Sequence, residues 1–361
     1  MKTLLITLEY PPFKGGVASY YSNLAKYWPI GERISVLDNR RGELLALHGL
    51  FPWLKAVGSI LKWRKEADFD HLLVGHILPL GTAAMIAAFI RPFSFSVILH
   101  GLDFAAAVST ARKRCLAKLI LRRAKQIICA NSYTVELVRK FDSKLAAKIT
   151  LVNPGVETII PDKNCEQLQE LREQYNLEGK FVLFSLGRLV ARKGFDTVIK
   201  ALSGHEFTAS NLVYFIAGLG PEERNLRTLA SVSPLKNQIF FLGGITEEEK
   251  WCWFHACDAF ILPTRTIGVD FEGFGIVYLE ANLASKPVIA GDSGGVRDAV
   301  IDGVNGLLVS PEDTAAIREA ILRLMTNPEL GRQLGQKGRV RAAQKFKWDE
   351  QAATICRSLK V

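Results

Sequence analysis

The chain has no CxxC pair, and none of its six cysteines (Cys115, Cys129, Cys165, Cys252, Cys257, Cys356) has a companion histidine at metal spacing. A zinc ribbon or finger is thereby excluded, and the cysteines read as reduced thiols of a cytoplasmic protein, with Cys252 and Cys257 packed on a predicted helix. There is no G-x-G-x-x-G fingerprint: Ala217–Pro221 (AGLGP) departs from it, and the strand ends lack the acidic ribose partner, which excludes a nicotinamide dinucleotide site. Internal repeats and low-complexity tracts are absent. The opening apolar run, Lys2 to Leu8, is too short for a signal peptide and reads as a buried strand. His71 to Ile90 holds twenty residues without a formal charge, which raises the question of a membrane span. Pro79 and Gly81 split it into strand, turn and helix, so it reads as β-α-β core, with a span as the alternative.

Acids are scarce in one half only. Residues 1–155 carry 22 lysines and arginines against 10 acids, a net +12, whereas the remainder carries 24 against 26, a net −2. The asymmetry points to a nucleic acid, an anionic membrane or an anionic substrate meeting the first half, the bland alternative being a solubilising surface.

What is present is a folded chain of 361 residues, 48% hydrophobic and 23% charged, long for one core and comfortable for two domains. Strands are predicted at about 34–37, 72–76, 95–100, 126–130 and 149–152, with helical segments between most of them. The polar connector 153–164 (NPGVETIIPDKN) marks a boundary, and a second strand-helix series opens with FVLFSLGRL at 181–189. Strand alternating with helix means parallel sheets covered on both faces. The EEE run 247–249 after Thr246 marks a helix start. Two segments, 51–65 and 111–125, are basic and amphipathic: the first sets Trp53, Leu54, Val57, Ile60 and Leu61 against Lys55, Lys62, Arg64 and Lys65, and the second has seven basic residues and no acid. Taken singly, each reads as an ordinary surface helix; two in one basic domain fit a membrane-facing surface equally well.

The stretch Arg265–Arg297 organises the second half. Glu272 and Glu280 lie eight positions apart, with Gly273 and Gly275 beside the first and a helix-capable run carrying the second. Free N–H groups opening that helix favour a phosphate, and the two acids would reach different parts of one molecule. Arg188 and Lys193, in GRLVARKG directly after a strand, are placed to neutralise a diphosphate without a metal; as isolated charges they read as a solvated loop. Gly15 and Gly16 form a strand-to-helix turn whose N–H groups can face an anion. His100 ends an apolar strand next to a glycine and reads as a site residue, whereas His76 reads as structural. Asp68-Phe69-Asp70 mimics a metal-binding DxD but precedes a strand, so it reads as a loop.

These motifs in this order (GG at 15–16, HG at 100–101, GRLVARKG, FEGFGIVYLEA and PVIAGDSGG) resemble the retaining glycosyltransferases of family 4 over nearly the whole chain. The resemblance implies an α/β GT-B fold: two Rossmann-like domains facing each other across a deep cleft, an acceptor-binding domain 1–155 with a C-terminal helix of about 348–361 crossing back onto it, and a donor-binding domain 156–347. It further implies that Arg188 and Lys193 hold the donor diphosphate, Glu280 the ribose and Glu272 the transferred sugar. Backbone at Phe274, Gly275 and Ile276 would bind sugar and phosphate, Gly15 and Gly16 the diphosphate, and the base would lie near Gly218 and Ile245, with His100 over the donor sugar. The implied reaction is front-face displacement with retention, without a metal or other cofactor.

The context of PTRTIGVDFEGFGIVYLEA is most similar to GDP-mannose-dependent phosphatidylinositol mannosyltransferases. It implies mannose transfer to a lipid-linked or glycan acceptor, in lipopolysaccharide or glycolipid synthesis, by a protein peripheral on the inner face of the plasma membrane. A UDP-sugar donor is the alternative. Two rival classes are a sugar-nucleotide 2-epimerase, which lacks the pairing of GRLxxRKG with E-x7-E, and a nucleic-acid binder, whose aromatics would be interleaved with basic residues.

Overall fold

The computed structural model describes residues 1–13, 15–46, 51–161, 166–207 and 210–360. The end of the 153–164 connector, Cys165 and the last residue of the predicted C-terminal helix therefore lie outside the described residues. Two compact units are present, Met1–Gly155 with Trp348–Val361, and Val156–Lys347.

The first unit is built on strands β1 (Lys2–Thr7), β2 (Arg33–Asp38), β3 (His71–Val74), β4 (Ser94–Leu99), β5 (Ile127–Cys129) and β6 (Ile149–Leu151), all parallel in the order β2-β1-β3-β4-β5-β6. Because side chains alternate along a strand, each central strand serves two cores. Leu4, Ile6, Leu72, Val74, Val97 and Leu99 face one layer, formed by helices Leu54–Glu66, Leu80–Ile90, Ala111–Arg123 and Ser132–Phe141. Leu5, Leu73, Ile98 and Ile128 face the other, where Gly16–Lys26 packs beside the C-terminal helix Trp348–Lys360. The apolar segment 71–90 is thus a buried strand and a core helix. Among the described residues no helix is long and apolar enough to cross a membrane.

The basic helices keep their expected character with one change of face. Ala56, Val57 and Ile60 are buried and Trp53 and Leu61 partly so, but Leu54 points outward at 52% exposure. It stands at the first position of the helix, before the apolar stripe turns inward.

The second unit contains β7 (Phe181–Leu186), β8 (Leu212–Ala217), β9 (Ile239–Gly243), β10 (Ala259–Leu262), β11 (Val288–Gly291) and β12 (Gly306–Val309), again all parallel, in the order β12-β11-β10-β7-β8-β9. Every residue of β8 is buried, as a strand covered on both faces requires. The run after Thr246 opens helix Glu247–Ala256 with a complete capping box to Glu249.

Trp348, 3% exposed and edge-on to Tyr20 with ring centroids 5.3 Å apart, anchors the last helix on the first sheet. Trp348→Ala should cost about 3–5 kcal/mol, read as a lowered denaturant midpoint. A cost below about 1 kcal/mol would show that this helix adds little to the first unit.

Candidate functional site

In an open parallel sheet, ligands bind beyond the carboxyl ends of the strands where the winding reverses. In the second unit that point lies between β7 and β10, and the loops leaving these two strands are the motifs GRLVARKG and PTRTIGVDFEGFG. Backbone hydrogen bonds join the neighbouring loops: Gly187 and Leu189 donate to Ala217 and Leu219, and Arg265 donates to the Arg192 carbonyl at 2.8 Å. Gly218 has φ 133°, and a Cβ there would lie 1.9 Å from the Gly187 carbonyl oxygen, so only glycine fits between the β7 and β8 loops. Ile245, on the loop after β9, is partly buried against the core.

Glu272 is the centre of charge. Its Oε2 accepts from Lys193 Nζ at 2.6 Å and from Arg192 Nη1 at 2.7 Å, and Arg192 Nε reaches Asp270 Oδ1 at 3.0 Å. Burial alone would raise the carboxyl pKa, but Lys193 and Arg192 outweigh it and hold Glu272 below the ordinary range. Its backbone carbonyl accepts from Gly295 at 2.9 Å. Gly294, with φ 58°, packs so close that a Cβ would fall 2.4 Å from the same carbonyl oxygen, which accounts for the first glycine of the pair in PVIAGDSGG.

Helix Ile276–Leu283 follows Gly275 with no side-chain cap, so its first N–H groups have no intrahelical acceptor and point out of the helix start. Its other end is fixed by buried amide bonds: Asn305 Nδ2 donates to Asn282 Oδ1 at 2.7 Å and to Ala299 O at 2.9 Å. Phe274 turns its ring into the core against Phe346, and Ile276 is partly buried there, leaving only backbone for a ligand at this corner. Glu280 Oε1 accepts from Lys250 Nζ at 2.7 Å, and the same ammonium reaches Glu247 at 2.6 Å. Burial works against the charge on Lys250, but Glu280 and Glu247 hold its pKa above the ordinary value.

The sequence groups Arg188 with Lys193; the structure gives them different surroundings. Lys193 is half-buried against Glu272, while Arg188 is exposed and its guanidinium makes no ion pair or hydrogen bond with any described residue. Sequence reasoning did not single out Arg192, Asp270 or Lys250. The first lies beside Lys193 in the quoted motif and was within reach; Lys250 meets Glu280 only through the fold.

In the first unit the winding reverses between β1 and β3. Gly15 ends the loop that leads from β1 to helix Gly16–Lys26, both glycines are exposed, and a Cβ on Gly16 would meet nothing within 4 Å. His100, after β4, has Nε2 2.8 Å from the Tyr21 hydroxyl. That hydroxyl gives its proton to the Gly75 carbonyl, so His100 donates and its Nε2 carries hydrogen. Burial, then His76, lowers the imidazole pKa to about 3, leaving it neutral. Asp103 accepts the N–H groups of His100 and Gly101, both at 2.9 Å, and fixes the HGLD turn. His76 stands 3.5 Å from Glu9, so it too belongs to a polar cluster. Asp68 pairs with Arg64 at 2.6 Å and Asp70 accepts from Lys2 N at 2.7 Å, so DFD is a structural loop. No group of three metal-ligating side chains occurs among the described residues. The five described cysteines form no disulfide. A concavity of about 690 Å³ in the second unit, with Lys180, Asp258 and Lys286 in its lining, lies at the amino ends of the strands and holds none of the candidate site residues.

The whole chain aligns with HepE from Anabaena, solved with UDP, at a TM-score of 0.82 and 19% identity with 100% of each chain covered. It aligns with sucrose-phosphate synthase from Thermosynechococcus elongatus at 0.80 and 21% identity, covering 99% and 98%. The architecture is the GT-B fold, as the motif resemblance implied. Residues 167–341 match the family Glycosyl transferases group 1, so the second unit is a domain of that family and the chain is a glycosyltransferase. It is 28% identical, over 99% of its length and 97% of the relative's, to the GDP-mannose-dependent alpha-(1-6)-phosphatidylinositol monomannoside mannosyltransferase of Mycolicibacterium smegmatis.

Because Glu272 has a depressed pKa, it contributes stability above the ordinary glutamate pKa of about 4.3 that is lost as pH falls through its lower folded value. At pH 7 Glu272→Gln should cost about 3 kcal/mol, since it leaves two half-buried cations facing a neutral amide. The gap to wild type should narrow below about pH 4.3. Chemical denaturation at pH 7 and in acid measures this, and a gap that does not vary with pH would mean the carboxylate is not ionised in the folded protein.

Proposed function

We propose that this glycosyltransferase is a retaining hexosyltransferase that moves mannose from GDP-mannose to a lipid-linked acceptor at a membrane surface. The observation that carries the donor site is the division of labour among the cations of GRLVARKG. Arg192 and Lys193 are spent on Glu272, and exposed Arg188 stands at a carboxyl strand end with its guanidinium unpaired among the described residues. A diphosphate held there by Arg188 and the open N–H groups of helix Ile276–Leu283 needs no metal to leave. Ionised Glu272 accepts a sugar hydroxyl, and Glu280 is placed for the ribose. Transfer breaks the bond from the anomeric carbon to phosphate oxygen and forms the bond to the acceptor oxygen on the same face. The acceptor proton passes to the departing phosphate. His100, neutral with hydrogen on Nε2, offers Nδ1 as an acceptor to the sugar.

The choice of mannose and GDP is supported by the full-length likeness to a GDP-mannose-dependent enzyme that acts on a phosphatidylinositol mannoside. Membrane contact is supported by the net +12 of residues 1–155 and by one helical layer. Helices Leu54–Glu66, Leu80–Ile90 and Ala111–Arg123 pack side by side and expose Leu54, Phe89, Ile90 and Leu119 among lysines and arginines. Apolar side chains amid basic ones suit an anionic bilayer surface.

Thermal stabilisation by GDP and GDP-mannose, with or without magnesium, and a smaller response to UDP and UDP-glucose is the expected pattern. Arg188→Ala should weaken binding of the diphosphate about ten- to a hundredfold, the worth of a charged hydrogen bond. A preference for UDP would replace the donor; no response to any nucleotide would remove the reading.

Vesicles containing phosphatidylglycerol should carry the protein into the pellet at low salt and release it as salt rises. Leu119→Asp should reduce that binding. Equal binding to phosphatidylcholine vesicles, or none to either, would overturn membrane attachment.

A further inference from the structure

One guanidinium joins the two acids of the loop after β10. Arg192 directs Nε to Asp270 and Nη1 to Glu272, and its carbonyl accepts the N–H of Arg265. Asp270 in turn closes a tight turn with Ile267, each residue donating its N–H to the other's carbonyl, at 2.8 and 3.0 Å. Arg192 is thus bonded to the loop at residues 265, 270 and 272. Lys193 adds its ammonium to the Glu272 oxygen that Arg192 already holds, Oε2. The other oxygen, Oε1, accepts no hydrogen bond from any described residue. An ammonium neutralises a carboxylate from any direction, whereas a planar fork tied to two acids fixes the carboxylate's orientation.

We propose that Arg192 is a positioning residue of the transfer reaction, which locks the carboxylate of Glu272 with Oε1 turned toward the transferred sugar and clamps the Ile267–Asp270 turn beside it. The proposal rests on the donor-site reading above and assigns the loop 265–271 a task that the motif residues leave open. The groups facing Glu272 are Arg192 and Lys193 from the turn after β7, Asp270 through Arg192, and the protonated phenol of Tyr278 from helix Ile276–Leu283. Removing Arg192 takes away one of two cations that hold the carboxylate ionised, so the acid limb of the transfer rate moves to higher pH.

The test uses the full chain with Arg192→Met, Arg192→Lys and Asp270→Asn, and measures kcat, KM, and the affinities for GDP and GDP-mannose, or for the UDP pair if that nucleotide stabilises the protein. Arg192→Met should leave the bare nucleotide within about twofold, lose the added affinity given by the sugar, and lower kcat about a hundredfold, the cost of a misplaced reacting group. Its acid limb should rise by about one pH unit. Arg192→Lys keeps the charge without the fork, so its acid limb should stay while kcat still falls. Asp270→Asn should fall between wild type and Arg192→Met.

Unchanged kcat in Arg192→Met would overturn the proposal. So would an equal loss for nucleotide and nucleotide sugar, which would make Arg192 a diphosphate cation, or full activity in Arg192→Lys, which would make it a charge alone. If wild type binds no nucleotide sugar, the donor reading fails separately. Carbon-13 titration of the Glu272 carboxyl in ligand-free protein, assigned with Glu272→Gln, then reads the link by itself: the titration should rise in Arg192→Met and stay in Arg192→Lys, and no rise in the first overturns it.

Discussion

The second unit depends on a carboxylate buried between two cations. Glu272 lies on the loop after β10, and Lys193 and Arg192 on the loop after β7. A buried ion left alone costs several kcal/mol, and a buried pair repays that cost only with good geometry. The geometry here comes from topology. Because β10 lies beside β7, although 76 residues separate Ser185 from the Ile261 carbonyl it bonds, the two loops leave the sheet as neighbours. A different strand order would strand Glu272 without its partners. The ion cluster therefore depends on the sheet, and the conformation of both loops depends on the ion cluster.

Much of this is legible in one sequence because it is local. Strand and helix periods follow from residue spacing, and Thr246 with Glu249 announces the capping box that forms. The eight-residue separation of Glu272 and Glu280 sets one acid on a loop and the other in the helix that follows it, with the open helix start between them. The unread parts are contacts between distant segments. Lys250 meets Glu280 across two elements, and no local period marks that. Sequence pairs Lys193 with Arg188 and passes over Arg192, because a sequence records the charge of a side chain and not the direction it takes. In the fold, the short 3₁₀ turn Ala191–Lys193 points both inward to Glu272, which leaves Arg188 outside.

The histidines show the same limit from the other side. Each of His76 and His100 follows a central strand of the first sheet, and sequence separates them only by the glycine after His100. In the structure both belong to the polar cluster at the strand ends. They differ in their partners: His76 stands near a carboxylate, Glu9, while His100 is fixed by a tyrosine whose proton is already committed to Gly75. A hydroxyl that has given away its proton can only accept. That single constraint selects the tautomer of His100 and turns its Nδ1 lone pair into the group available for a ligand.

The two units would meet negative partners by different physics. The second is close to neutral overall, so on the proposed reading its anion would be recognised at short range, by the Arg188 guanidinium and the start of helix Ile276–Leu283. The first carries its excess charge on exposed helices, where each lysine or arginine acts through solvent and sums with its neighbours over roughly a Debye length. Short-range recognition selects a ligand of one shape; diffuse charge selects a surface of one sign. The proposed transfer from a soluble nucleotide sugar to an acceptor set in a bilayer would need both kinds of selection, and the uneven placement of charge along this chain would keep them in separate domains.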